Sequence, residues 1–324
     1  MSKRTGISAF QALRPMYERT SMHRNVIEEV DDSCVRDAYA HCRSVTREHA
    51  KTFYLATRFL PNHKQRSIFA IYALCRHLDN IVDEAEDLSG ANPVAIRDAG
   101  TALNEWKFKL EQTYEEKQAD NYVLVAFSDV LKRHAIPISL PFELIDGVQS
   151  DLVKNRYENF EELYDYSYKV ASVVGLMTSE VFGYDDEKAL DRAVDLGIAM
   201  QLTNILRDIG EDLQRDRIYL PLDELHSFGL TENDIQQKQV TPDFKSFMRF
   251  QIDRARRYYA SSDEGIPLLS PDSRIPVLLA RHNYARILDC IEKNNYQVFD
   301  SRAHLTWMQK MTILPKAWWL SNRF

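Results

Sequence analysis

The stretch Gln201-Leu202-Thr203-Asn204-Ile205-Leu206-Arg207-Asp208-Ile209-Gly210-Glu211-Asp212 decides how the rest of the chain reads. Asn204, Asp208 and Asp212 stand four residues apart, so on a helix they share one face over two turns. At 1.5 Å rise per residue that stripe is about 12 Å long. Gln201 falls on the same face, and an apolar arc of Ile198, Leu202, Ile205, Leu206, Ile209 and Leu213 borders it. Oxygen donors therefore line the rim of a packed face. Two aspartates one turn apart repel by roughly 0.2–0.5 kcal/mol, and a cation between them reverses the sign. Such hard donors suit Mg²⁺ or Mn²⁺ rather than zinc. The same spacing also suits a solvated acidic face that holds nothing.

A second segment repeats the pattern. Tyr72-Ala73-Leu74-Cys75-Arg76-His77-Leu78-Asp79-Asn80-Ile81-Val82-Asp83 puts Asp79 and Asp83 one turn apart. Tyr72 and Arg76 project within about 60° of them on the helical wheel. Ile71, Leu74, Leu78, Ile81 and Val82 fill the neighbouring arc. Two acid stripes on separate long helices, each beside an apolar arc and each with an arginine, suit the binding of a diphosphate ester. Mg²⁺ cancels the repulsion between carboxylates and phosphates, and arginines neutralise the charge that builds on a departing diphosphate. The carbocation left behind needs a dry, aromatic-lined cavity, which a helical bundle can enclose.

The whole chain supports that reading. Its 324 residues are 44% hydrophobic, enough for a large core, and hold only 10 Gly and 11 Pro, which favours long helices. A net charge of −7 argues against general nucleic-acid binding. Cys34, Cys42, Cys75 and Cys290 form no CxxC pair and read as reduced thiols. No run of about 20 apolar residues is present to span a membrane. Residues 1–32 form a polar lead-in without an apolar signal core. From residue 33 to 324 the pattern predicts one all-α domain. Helices are expected from about 33 to 60, 64 to 87, 94 to 116, 122 to 134, 158 to 183, 187 to 213, 243 to 263 and 274 to 296, with irregular chain after Arg217-Ile218-Tyr219-Leu220-Pro221 to about 242. Asp31, Asp32 or Ser33 caps the first. The end, 303–320, mixes Trp307, Met308, Met311, Ile313, Leu314, Trp318, Trp319 and Leu320 with Lys310 and Lys316, and Arg323 follows. That mixture suits a bilayer interface and equally a last helix packed on the bundle.

The chain resembles the squalene/phytoene synthases, the head-to-head prenyl transferases. The resemblance rests on His-Ala-Lys-Thr-Phe at 49–53, the Tyr72–Asp83 block, Tyr-Lys-Val-Ala-Ser-Val-Val-Gly at 168–175, and the 201–212 stretch continuing to Arg-Ile-Tyr-Leu-Pro at 217–221. It extends to Tyr284 and Asn-Asn-Tyr-Gln-Val-Phe at 294–299. It implies an isoprenoid-synthase-type helical bundle with a central cavity. It also implies that Asp79, Asp83, Asn204, Asp208 and Asp212 hold Mg²⁺, with Mn²⁺ as a substitute. Arg76, Arg207 and Lys51 would hold diphosphate, with His49 and Phe53 nearby and Arg302 as a late diphosphate-binding arginine. Tyr72, Tyr168, Tyr219 and Tyr284 would line the reaction centre. Tyr168 and Tyr284 also fit ordinary core tyrosines, His49 a surface histidine and Lys51 a solvated cation. Two positions depart from the family pattern. Ser172 stands where glycine is usual and is expected to narrow the cavity slightly, and Ser301-Arg302 replaces a common arginine pair.

The implied reaction joins two prenyl diphosphates through a cyclopropyl diphosphate. The wording of the 201–221 block favours the phytoene-forming branch of carotenoid biosynthesis, with geranylgeranyl diphosphate as substrate and no NADPH. The rivals are squalene, dehydrosqualene or hydroxysqualene synthesis from farnesyl diphosphate, and a non-catalytic assembly factor, which would not need both acid stripes. The sequence shows no carboxylate base deep in an apolar segment, so a tyrosine or the released diphosphate is expected to take the last proton. The expected location is cytoplasmic, with peripheral membrane contact and no nucleic-acid partner.

Overall fold

Asp32 starts the first helix: its carboxylate accepts from the backbone N–H of Cys34 at 2.8 Å and Val35 at 3.1 Å, a cap worth about 1 kcal/mol. The computed structural model describes residues 26–89, 93–117 and 119–321. Residues 1–25 of the polar lead-in, and Arg323, lie outside the described residues. The part of the lead-in that is described docks on the bundle: Ile27 is buried and Arg66 donates to the Val26 carbonyl at 2.6 Å.

The helices in order are α1 Ser33–His49, α2 Lys51–Thr57, α3 Asn62–Ser89, α4 Pro93–Tyr114, α5 Tyr122–Leu131 and α6 Ser139–Ser150. After strand β1, Arg156–Tyr157, come α7 Phe160–Ser167, a π-helical turn Tyr168–Ser172, α8 Val173–Phe182 and α9 Lys188–Asp212. Strand β2, Ile218–Pro221, leads to α10 Leu222–Ser227, α11 Glu232–Gln236, α12 Pro242–Ser262, α13 Pro271–Lys293, α14 Trp307–Met311 and α15 Leu314–Ser321. The all-α expectation holds, and the predicted long helices are present.

Three differences matter. The helix expected to run unbroken from 33 to 60 breaks at Ala50, whose backbone turns to φ −132° and ψ 58°. Alanine is a good helix former, so no local signal marks this break. Packing accounts for it: the turn lets Phe53 and Tyr54 reach α3, with ring centroids 5.8 Å from Tyr72 and 5.6 Å from Phe69. Residues 158–183 are likewise split by the π turn. The segment expected to be irregular after Pro221 carries two short helices, and the residues before it form β2. β2 pairs in parallel with β1, Arg156 opposite Ile218 and Tyr157 opposite Pro221.

Two apolar clusters form the core. One gathers α1, α3, α5 and α6 around residues such as Phe69, Leu74, Phe127 and Ile145. The other gathers α9, α12 and the end of α13 around Leu202, Leu206, Phe247, Ile252 and Leu288. Tyr168 and Leu196 pack against both. Gly197 of α9, next to Leu196, packs against the π turn that carries Tyr168. A Cβ on Gly197 would lie 2.5 Å from the Ser172 Cα, so only glycine permits this contact. The Ser172 hydroxyl donates across it to the Val194 carbonyl at 2.9 Å. Ser172 is buried against α9 and does not line the cavity described below, so the expected narrowing is not seen.

At the C-terminal end, Ile313 and Ala317 are buried and α15 packs on α13, while Met308, Trp318 and Trp319 remain exposed. Among the described residues no helix is long and apolar enough to cross a membrane.

Candidate active site

α3 and α9 bring their polar faces to one cavity of about 310 Å³. Arg76, Asp79 and Asp83 enter it from α3, and Gln201, Asn204, Asp208 and Asp212 from α9. Val82, Val148 and Ile205 supply its apolar wall. Four residues that sequence reasoning did not assign to the site complete it or join the stripes: Asp151, Tyr166 and Arg217 line it beside Tyr219, and Arg215 bridges to Asp83.

The rim is an alternation of acids and arginines. Asp208 is gripped by Arg207, at 2.7 and 2.5 Å, and by Arg302, at 2.8 and 2.9 Å. Asp83 is held by Arg215 at 2.7 Å and Arg76 at 3.5 Å. Arg215 follows α9 and Asp83 belongs to α3, so this pair ties the two stripes together. Asp79 is pushed up to about 7 by burial, with Asp83 and Asp151 adding to the effect and Arg76 opposing it. Burial, reinforced by Asp208, raises Asp212 to about 7 as well, against the pull of Arg217.

Among the described residues no three His, Cys, Asp or Glu side chains converge into a ready metal cluster. The donor chemistry nonetheless fits a hard cation shared with a ligand. The Asn204 Oδ1 is buried with no hydrogen-bond partner, and Asp79 and Asp212 are carboxylates whose ionisation lacks compensation. Both conditions are relieved by a divalent ion.

The floor is built differently. Asp151, at the end of α6, accepts from the Tyr219 hydroxyl at 2.8 Å and the Tyr166 hydroxyl at 2.9 Å. Its backbone carbonyl accepts from Arg217 at 2.9 Å. Tyr166 and Tyr219 stack at 5.2 Å, and Tyr157 closes the aromatic cluster at 5.4 and 5.6 Å. Burial raises the Asp151 carboxyl and holds both bonded phenols protonated. The sequence shows no carboxylate base deep in an apolar segment; Asp151 is a half-buried carboxylate that the fold places behind two tyrosines. Asp151 follows a short apolar-faced helix, and only the fold sets it among tyrosines.

The remaining expected residues spread around the chamber. Tyr72 lies near Arg76, Asp79 and Tyr284, and burial pushes its phenol up to about 12. Phe53 packs on Tyr72. Tyr284 lies near Arg207 and Tyr259. Tyr168 does not line the cavity; it sits on the π turn near Glu143 and Tyr164, and Tyr166 lines the cavity instead. His49 and Lys51 are exposed beside the break between α1 and α2.

The architecture is that of an α-helical bundle with two acid stripes facing one cavity. Residues 46–309 match the squalene/phytoene synthase family model, and the chain belongs to that family. It is 40% identical over 293 residues to the 15-cis-phytoene synthase of Synechococcus elongatus, covering 87% of this chain and 92% of that protein. It is 42% identical over 288 residues to the chloroplastic phytoene synthase 2 of Zea mays, covering 87% of this chain and 69% of that one. Among solved structures, a dehydrosqualene synthase in complex with ligand superposes with a TM-score of 0.81 at 28% identity, over 93% of this chain and 100% of that one.

Proposed function

We propose that the chain condenses two geranylgeranyl diphosphates head to head into phytoene, through a cyclopropyl diphosphate, as a step of carotenoid biosynthesis. The observation that carries this reading is the meeting of two acid-bearing helix faces in one cavity, which Arg76 and Arg217 also line. Relatives named phytoene synthases, alike over most of this chain, point to the same product.

Asp79, Asp83, Asn204, Asp208 and Asp212 would hold Mg²⁺, or Mn²⁺ in its place. Such a metal would supply positive charge to offset the leaving diphosphate. Arg76, Arg207 and Arg302 bind the diphosphates, with Lys51, His49 and Phe53 flanking. Arg207 and Arg302 now pair with Asp208, so they are poised to share that charge with a metal-bound substrate. Tyr72, Tyr219 and Tyr284 offer aromatic faces to cationic intermediates. Tyr168, outside the cavity lining, acts only through its packing against both apolar clusters.

The decisive experiment supplies geranylgeranyl or farnesyl diphosphate with Mg²⁺, with and without NADPH, and identifies the hydrocarbon. Phytoene from geranylgeranyl diphosphate without NADPH is expected. Strict NADPH dependence with squalene as product overturns the reading. Exclusive use of farnesyl diphosphate keeps the family and rejects the substrate.

The product is insoluble in water, and Met308 (75% exposed), Trp318 (49%) and Trp319 (50%) form a surface suited to a bilayer interface. The enzyme thus works against a membrane surface. The double substitution Trp318→Ala, Trp319→Ala should weaken binding to anionic liposomes; unchanged binding rejects the contact.

A further inference from the structure

The condensation to phytoene ends with a cation that must lose a proton, and the cavity holds few groups able to take it. Asp83 and Asp208 are engaged by arginines. Asp79, Asp212 and Asn204 face the metal-binding rim. The phenols of Tyr166 and Tyr219 are held protonated by burial, so neither is a base on its own. Asp151 is the carboxylate behind them. Its two oxygens each accept one tyrosine hydroxyl, and both tyrosines line the cavity.

We propose that Asp151 is the final acceptor of the proton lost by the last prenyl cation, passed to it through the hydroxyl of Tyr219. The proposal rests on the phytoene reading above. The step balances without an oxidant or reductant. A C–H bond beside the cationic carbon breaks, and its electron pair becomes the second bond of the new alkene. The proton goes to the Tyr219 oxygen, while the proton that oxygen carried moves along the 2.8 Å hydrogen bond to Asp151 Oδ1. Tyr219 ends neutral and Asp151 ends as a carboxylic acid, which returns its proton to solvent after product leaves.

Tyr219 is well placed for the relay. Its ring is clamped by Tyr166 and Tyr157, so the hydroxyl has one orientation toward Asp151. Arg217 anchors the Asp151 backbone from the residue two before Tyr219. Burial raises the Asp151 carboxyl, which makes it a stronger acceptor than an exposed aspartate.

The test compares Asp151→Asn, Asp151→Glu, Tyr219→Phe and the Asp151→Asn, Tyr219→Phe pair, using geranylgeranyl diphosphate and Mg²⁺. Asp151→Asn is expected to lower kcat about 10²–10⁴-fold with KM little changed, the range for loss of a proton-transfer group. Asp151→Glu should recover part of the loss. Tyr219→Phe, which keeps the ring stack, should lose a similar factor, and the pair should lose no more than the worse single variant, because one relay is broken once. Alcohols from capture of the stranded cation by water should appear among the products. Wild-type kcat in Asp151→Asn or Tyr219→Phe overturns the relay, as do losses that multiply in the pair. If Asp151→Asn does not fold, Tyr219→Phe alone decides. Failure of the unmodified protein to turn over geranylgeranyl diphosphate rejects the phytoene reading and the relay with it; wild-type behaviour of the variants rejects the relay alone.

Discussion

The rim and the floor of the cavity both carry buried charge, yet they are assembled by different means. The rim comes from two helices, α3 and α9, and its acids lie on i, i+4 positions of each. The floor comes from four separate pieces: the end of α6, β1, α7 and β2. A parallel pairing of only a few residues holds it, with Ile218 N–H donating to the Asn155 carbonyl at 3.0 Å and Asp223 N–H to Glu158 at 3.0 Å. Asp216 makes the turn into β2 with φ 53°, a left-handed conformation that aspartate tolerates better than most residues. A helix dictates its own face; the floor exists only once the whole chain has folded.

The largest expected effect falls on the rim. Asp83→Asn and Asp208→Asn each remove one charge and keep the shape. Turnover should fall about 10²-fold or more, the scale on which lost electrostatic stabilisation acts. Circular dichroism and thermal melting should show an intact fold, since neither side chain belongs to the apolar clusters. Full activity of either variant at saturating Mg²⁺ would falsify the metal assignment.

Metal and pH separate the two regions next. Asp79 and Asp212 titrate at about 7 in the folded chain, against 3.8 for an ordinary aspartate. Between those values the folded state holds protons that the unfolded chain has released. Their stabilising contribution is therefore fully present below about pH 4 and lost as pH rises through about 7. Mg²⁺ offsets that loss. Differential scanning at pH 8 should show a higher Tm on adding Mg²⁺, with about 2.7 kcal/mol expected at one hundred times Kd. At pH 5, where both carboxyls are protonated, the gain should shrink sharply. An equal gain at both values removes these two acids from the binding site.

Rim and floor were also unequal in the sequence, for the same reason. The stripes at 79–83 and 204–212 were legible because helical periodicity places i and i+4 together whatever the rest of the chain does. The helical class was legible from the scarcity of Gly and Pro. Asp151, Tyr166 and Arg217 were not legible from spacing, because nothing local to Gln149-Ser150-Asp151 says that residues 166 and 219 will meet it. One clue existed: Arg217-Ile218-Tyr219-Leu220-Pro221 has the β-branched, aromatic alternation of a strand, and a strand needs a partner. The break at Ala50 and the π turn at Tyr168–Ser172 left no trace, since both are imposed by packing on residues content to be α-helical.

If tertiary contacts hold the floor, then loosening them from outside should disturb it. Arg156 of β1 reaches past the sheet to Asp216 Oδ1 at 2.7 Å and Glu232 Oε2 at 2.6 Å, and also bonds the Asp216 carbonyl. It is part-buried and touches no residue of the rim. Arg156→Ala should cost about 1–3 kcal/mol in chemical denaturation, the worth of charge-assisted bonds partly open to solvent. It should also lower kcat about tenfold by letting Tyr219 drift from Asp151, since small misplacements are expensive in catalysis. Unchanged kcat in a destabilised variant means that the floor is rigid without its clamp.

The smallest effect belongs to the seam between rim and floor. Ser172 lies on the π turn, and its backbone presses on Gly197 of α9 so closely that no side chain fits at 197. Its hydroxyl is spent on the Val194 carbonyl at 2.9 Å. Ser172→Ala deletes that one bond and little volume, so the loss should be about 1 kcal/mol. Ser172→Gly should cost somewhat more, by roughly 0.5–1 kcal/mol, because residue 172 is helical and glycine gives up more freedom on folding. Neither change opens the cavity, because the side chain points to α9. Product identity and KM should therefore stay as in the parent. A longer or shorter hydrocarbon from either variant would show that the seam, rather than rim or floor, sets the room for the chains.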